Sequence, residues 1–181
     1  MLRSETNASR RGIILVRAAH PDGKREVTEM RSMLEGIRVI DFSNTVAGPG
    51  CSLFLAWMGA EVIKVERPGL GDEARLFPPY KDGLSASFAV LNNTKRGIVL
   101  DLKKPEAVEI FKELAAVSDV LVENYRPGVM KNLGIDYETL KAVNPRLVMC
   151  SISGYGQYGP LSDLPSYDSV IQAMCGLMST T

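Results

Sequence analysis

The stretch Ile37–Glu66, IRVIDFSNTVAGPGCSLFLAWMGAEVIKVE, decides the fold. It opens on a β-branched run, Ile37–Phe42, passes through a helical segment from Cys51 to Met58 and closes on a second such run, Glu61–Glu66. Short apolar runs bounded by turn residues read as strands, and strand, helix, strand in this order is a βαβ unit. Between the first strand and its helix lies Ala47-Gly48-Pro49-Gly50, expected here as a glycine turn.

The alternation continues downstream. Arg67 to Gly83 is rich in Pro and Gly and is expected as a long surface loop, a length that tends to carry function. Ser85 to Asn92 reads as a helix and Gly97 to Leu102 as a third strand. Pro105, at a first helical position, opens a helix through Val117 with Val108, Phe111, Leu114 and Ala115 on one face. Asp119 to Glu123 is a fourth strand, Gly128 to Leu133 a short helix, Asp136 the cap of a helix through Val143, and Leu147 to Ile152 a fifth strand. After a glycine-rich loop, a helix from Tyr167 is expected to run to the chain end. This pattern predicts an α/β fold, a Rossmann-like, mostly parallel sheet with helices on both faces, and ligands gather at the carboxyl ends of such strands.

Composition excludes several classes. The 181 residues are 45% hydrophobic and 23% charged, with 21 basic against 21 acidic side chains, so neither disorder nor a basic nucleic-acid or membrane surface is written here. We expect neither nucleic acid nor membrane as a partner. Cys51, Cys150 and Cys175 show no CxxC spacing, which removes a zinc knuckle and a disulfide framework and reads as reduced, mostly buried cytoplasmic thiols. The one histidine, His20, lies in a polar leader, so Ser-His-Asp and Cys-His chemistry and His-ligated metals are disfavoured. Residues 1–32 are expected to be a disordered leader or a mis-called start, with initiation at Met30 or Met33; Glu5, Asp22, Glu26 and Glu29 argue against a transit peptide. Residues 33–181 would form the folded part.

Three groups of residues are candidates for chemistry. Gly48 and Gly50 with Glu66 at the end of the second strand sketch a dinucleotide site, although Leu53 stands where a third glycine belongs and Pro49 lacks an amide; a plain tight turn is the ordinary alternative. Lys64, Arg67, Arg75, Lys95, Arg96, Lys103 and Arg126 fall near strand ends, either to pair with phosphates or as solvated loop charges. Tyr125, in Asn124-Tyr125-Arg126-Pro127-Gly128, is either a platform for a base or an interior tyrosine. Asp168 is either an active-site acid or a helix-start charge.

Taken together, the motifs resemble one family. Leu34 to Asp41, Ala47-Gly48-Pro49, Gly59 to Pro68, Gly71-Asp72 with Arg75, Lys95-Arg96 with Leu100 to Lys103, Asp119 to Gly128, Asn144-Pro145-Arg146 and Ser151 to Gln157 are similar, in order and spacing, to blocks of the class III CoA-transferases. That family includes formyl-CoA transferase, carnitine CoA-transferase and α-methylacyl-CoA racemase.

The resemblance implies transfer of CoA between an acyl-CoA thioester and a free carboxylic acid through an aspartyl intermediate. Coenzyme A would come and go as substrate, with no permanently bound cofactor or metal. Val46, Ala47, Arg67, Leu100, Asp101, Leu102, Lys103, Asn124, Tyr125, Arg126, Pro165 and Ser166 would line the CoA site, with Tyr167, Asp168 and Val46 beside the reacting centre. The family's nucleophilic aspartate, in a Gly-Asp motif, lies beyond the position of Thr181, so Asp168 is not the nucleophile and the 181-residue chain is expected to be the CoA-binding amino-terminal part, inactive alone. The full-length form would be an interlocked homodimer. Val46 stands where formyl-CoA transferase has a glutamine, which argues against oxalate and formyl-CoA. Asn132 replaces a basic residue, and Tyr167 replaces the histidine of racemases. A dinucleotide-binding oxidoreductase domain and a non-catalytic remnant or interaction module are the other readings.

Overall fold

In a computed structural model, which describes residues 14–17, 27–30 and 32–180, two short strands, β1 (Ile14–Arg17) and β2 (Val27–Met30), pair antiparallel with Ile14 opposite Met30. The expectation of a disordered leader or mis-called start falls largely on residues 1–13, 18–26 and 31, which lie outside the described residues. The βαβ unit follows as β3 (Arg38–Phe42), α1 (Ala47–Trp57) and β4 (Glu61–Glu66). Next come a 3-10 turn at Glu73–Leu76, a small hairpin of β5 (Tyr80–Lys81) and β6 (Leu84–Ser85), α2 (Ala86–Asn92), β7 (Arg96–Val99) and α3 (Pro105–Ala116). The remaining elements are β8 (Val120–Glu123), α4 (Val129–Asn132), α5 (Tyr137–Val143), β9 (Val148–Ser151) and α6 (Asp168–Met174).

Five strands form one parallel sheet in the order β7-β4-β3-β8-β9, so the α/β class and the parallel topology are as the sequence implied. Period-two alternation divides each strand between two layers. Ile40, Phe42, Val65 and Leu121 face one core with Phe111 and Ala115 of α3 and Leu140 of α5, while Val39, Val62 and Val122 face the other, under Cys51, Leu55 and Ala56 of α1. Helices therefore cover both faces. Asp136 caps α5 as expected, its carboxylate accepting from the Thr139 amide, and Ser85 caps α2 by accepting from Phe88.

The structure corrects four details. α1 begins at Ala47, so Ala47 to Gly50 is its first turn rather than a preceding loop; Pro49 fits because amides in the first turn have no helical partner to lose. Loop 67–83 contains the 3-10 turn and the first strand of the hairpin. β7 ends at Val99, after which Leu100 and Leu102 fold inward. α6 stops at Met174 instead of continuing, because Gly176 at φ 81° turns the chain left-handed and a 3-10 turn, Leu177–Ser179, follows. The thiols are also less buried than expected: Cys51 and Cys150 are half-buried and Cys175 is exposed.

Candidate functional site

The central strand β3 is flanked on one side by β4 and on the other by β8, so the loops leaving their carboxyl ends diverge and open a crevice, the place where open parallel sheets bind ligands. Two asparagines fix the loop after β3 to the loop after β8. The Asn44 amide N–H donates to Asn124 Oδ1 at 2.8 Å, and Asn124 Nδ2 donates to the Asn44 carbonyl at 2.8 Å. Asn44 Nδ2 also donates to the Tyr125 hydroxyl at 3.1 Å.

Tyr125 is half-buried. Its ring packs on Phe42 with centroids 4.8 Å apart, and Phe42 meets Phe111 edge-on at 5.4 Å, so one face of the aromatic platform is already part of the core. Burial pushes the phenol up to about 12.

On the crevice side, a cleft of about 290 Å³ is lined by Ala47, Asn124, Ser153, Gly154, Ser166, Tyr167, Asp168 and Ile171. A narrower one, about 80 Å³, shares Asn124, Ser153, Gly154 and Ser166 and adds Tyr125, Arg126 and Pro165. Eight of the residues named from sequence, Ala47, Asn124, Tyr125, Arg126, Pro165, Ser166, Tyr167 and Asp168, thus come together. Gly154 is required by space: a Cβ there would sit 1.6 Å from Ser166 Oγ. Gly48 is required too, since its Cβ would meet Ser43 Cβ at 2.3 Å where α1 starts.

Val46 is exposed at the head of α1. Arg67 lies one loop away, half-exposed, donating to the Gly71 carbonyl and paired with Glu73 at 3.3 Å. The segment Leu100 to Lys103 is two strands from β3. Leu100 and Leu102 point into the core, Asp101 is half-buried and Lys103 exposed, and none of the four lines either cleft.

Behind the crevice lies a buried ion cluster that composition did not reveal. Asp41 on β3 and Lys64 on β4 are register partners on the face covered by α1. Lys95 Nζ lies 2.7 Å from Asp41 Oδ2 and also donates to the Pro49 carbonyl and Asn92 Oδ1. Lys64 Nζ lies 2.8 Å from Asp72 Oδ2 and 3.7 Å from Asp41 Oδ2, and donates to the Ser43 carbonyl at 3.0 Å. Ser43 and Ser52 hydroxyls donate to the two oxygens of Asp41. Burial pushes the Asp41 carboxyl up, but the Lys64 and Lys95 charges outweigh it and hold the group below its usual range. Lys64 and Lys95 are therefore structural cations, not phosphate ligands. The signal was present in the period-two phase, because Lys64 shares the inward face of Val62 and Asp41 that of Val39.

Glu66 is likewise occupied. It accepts two hydrogen bonds from Arg75, at 2.9 and 2.7 Å, and one from the Asp72 amide at 2.9 Å. The dinucleotide sketch thus loses its acid to Arg75 and its glycine loop to the first turn of α1. Glu123, which sequence reasoning did not single out, is buried at the end of β8 and accepts from the Tyr125 amide at 2.8 Å; burial raises its carboxyl. Among the described residues, no three His, Cys, Asp or Glu side chains are grouped to hold a metal, and no helix is long and apolar enough to cross a membrane.

Residues 34–181 match the family model described as CoA-transferase family III. The chain belongs to CoA-transferase family III. Among relatives of this family, succinyl-CoA:glutarate CoA-transferase of Mus musculus is 46% identical over 149 residues, 82% of this chain and 34% of the relative. Acetyl-CoA:oxalate CoA-transferase of Acetobacter aceti is 46% identical over 147 residues, 81% of this chain and 38% of the relative. A CAIB/BAIF family protein from Brucella suis superposes with a TM-score of 0.78 at 39% identity, covering 82% of this chain and 40% of that one. The chain thus spans 34 to 38% of the length of these curated family III relatives.

Proposed function

We propose that this chain is the CoA-binding part of an enzyme that moves CoA between an acyl-CoA thioester and a dicarboxylic acid. The observation that carries the reading is the cleft itself, which gathers Ala47, Asn124, Ser166, Tyr167 and Asp168 at the carboxyl end of the sheet. Asn124, Ser153 and Ser166 offer amide and hydroxyl partners for the two amides of a pantetheine arm, and the exposed Arg126 offers a cation for phosphate. The named relatives act on glutarate and oxalate, which supports a dicarboxylate acceptor.

In this reading an aspartate carboxylate, supplied beyond the position of Thr181, attacks the thioester carbonyl and expels the CoA thiolate, giving a mixed anhydride. The thiolate then attacks the aspartyl carbonyl, releasing the donor acid and leaving an enzyme thioester, and the acceptor acid reverses the two steps. Tyr167 and Asp168 border the reacting centre, Val46 replaces an amide side chain there, and the 181-residue chain alone does not turn over. Residues 33–181 are the amino-terminal part of the transferase's large domain, the complete enzyme is an interlocked homodimer, and the free thiols suit a cytoplasmic setting.

A thermal-shift titration tests this. CoA is expected to raise the melting temperature and NAD to leave it unchanged. Protection by NAD alone restores the dinucleotide reading despite the occupied Glu66, and protection by neither leaves the non-catalytic module.

A further inference from the structure

Thr45 carries a φ of 69°. A β-branched residue in the left-handed region is a genuine outlier and persists only where its surroundings over-determine it. The hold comes from another loop. The Thr45 amide donates to Asp72 Oδ1 at 2.9 Å, and that oxygen also accepts from the Ala74 amide at 2.8 Å. Asp72 is 1% exposed, and its Oδ2 lies 2.8 Å from Lys64 Nζ in an ion contact outside hydrogen-bonding angles. Its own amide is tied to Glu66.

Thr45 is bracketed by parts that cannot shift with it. The preceding Asn44 is pinned to Asn124, and the Val46 carbonyl accepts the first helical bond of α1 from Gly50 at 2.7 Å. α1 itself is anchored through Ser52 to Asp41. The backbone sense at Thr45 therefore sets where Val46 and the cleft-lining Ala47 stand.

We propose that Asp72 is a positioning residue: its carboxylate holds Thr45 left-handed and so aims Val46 and Ala47 at the reacting end of the CoA cleft. The ligand in this statement rests on the reading above; the loop geometry does not.

The test uses Asp72→Ala, the conservative Asp72→Asn, and Asp72→Ala combined with Thr45→Gly, since glycine adopts the left-handed region without a holder. Calorimetry measures CoA affinity, and amide exchange reports Thr45 directly. Asp72→Ala is expected to weaken CoA at least tenfold and to speed Thr45 exchange at least tenfold. Asp72→Asn keeps an acceptor oxygen and stays within threefold of wild type in affinity even where its melting temperature falls. Thr45→Gly restores at least half of the lost affinity, on a logarithmic scale, without restoring the melting temperature. Should Asp72→Ala not fold, Lys64→Met/Asp72→Ala, which leaves no unpaired buried charge at this contact, carries the same expectations. Unchanged affinity in folded Asp72→Ala, or affinity that falls equally with Asn and Ala in step with stability, overturns the proposal. If the wild-type chain does not bind CoA, the functional reading is what fails, and unchanged Thr45 exchange in the Ala variant separately overturns the loop claim.

Discussion

Lys95 Nζ and Asp41 Oδ2 lie 2.7 Å apart with at most 1% of either side chain exposed. The contact joins the segment before β7 to the middle of the sheet, and Lys64 stands 3.7 Å from the same oxygen. Lys95→Met strands part of a buried negative charge, and breaking such a pair from one side costs about 3 to 5 kcal/mol. The lower end is expected because Lys64 remains. Lys95→Met with Asp41→Asn should recover a substantial share, leaving Lys64 with Asp72. Urea unfolding midpoints of the single and double variants decide the matter; equal stability of wild type and Lys95→Met would show the pair to be inert.

Glu123 and Asp41 predict opposite responses to pH. For Asp41, burial raises the carboxyl but the lysines more than offset it; a depressed folded value means stability present above the ordinary 3.8 and lost as pH falls below it. For Glu123, burial dominates the hydrogen bonds from Ser151 and the Tyr125 amide, so the folded value lies above 4.5. The folded state then binds that proton more tightly than the unfolded state, which lowers stability above the folded value and restores it as pH falls toward 4.5. Glu123→Gln should therefore be more stable than wild type at pH ~8, with the gap narrowing in acid. Melting curves across this range that stay parallel would exclude the assignment.

Gly154→Ala closes the cleft without entering the main core. A Cβ would meet Ser166 Oγ at 1.6 Å and Ser166 Cβ at 2.5 Å, forcing Ser166 from the wall it shares with Asn124. Small-to-large changes in packed sites cost about 1 to 3 kcal/mol, and here the segment is exposed enough to give way, so the loss should fall at the lower end. CoA binding should weaken at least about tenfold, as a loss of 1.4 kcal/mol would. Retained affinity in a folded variant would move the ligand away from this wall.

Tyr125 should titrate at about 12, because burial disfavours its phenolate. Ultraviolet difference titration of wild type against Tyr125→Phe isolates its phenolate. The same substitution removes the acceptor for Asn44 Nδ2 and should cost about 0.5 to 1.5 kcal/mol. A Tyr125 phenolate appearing near pH 10 would mean that the ring is not seated against Phe42.

Where apolar runs were bounded by turn or cap residues, the elements were legible. Glu61–Glu66 coincides with β4, Pro105 marks the start of α3, and Asp136 caps α5. The family was legible through ordered motifs, and eight of the residues named for the candidate site line two adjoining clefts. Charge roles were not. A lysine at a strand end reads the same whether it faces water or an aspartate, and only the pairing of β3 with β4 shows that Lys64 meets Asp41. The left-handed turn at Thr45 carried no local signal because its cause, Asp72, comes from a different loop. Helix ends failed where a glycine acted from outside the periodic stretch, as Gly176 does for α6.

The central strand has a consequence for synthesis. β3 finds β4 almost at once, but its other flank waits for β8; Arg38 and Asp119, bonded where that pairing begins, are 81 positions apart. At about 5 to 20 residues per second, translation leaves that flank bare for on the order of 4 to 16 seconds. From the completion of β4 until β8 is made, the nascent chain carries a finished βαβ unit whose β3 edge is open and apolar. Ribosome stalling before Val120 would turn a passing state into a lasting one, offering chaperones and proteases the same surface that the completed sheet seals.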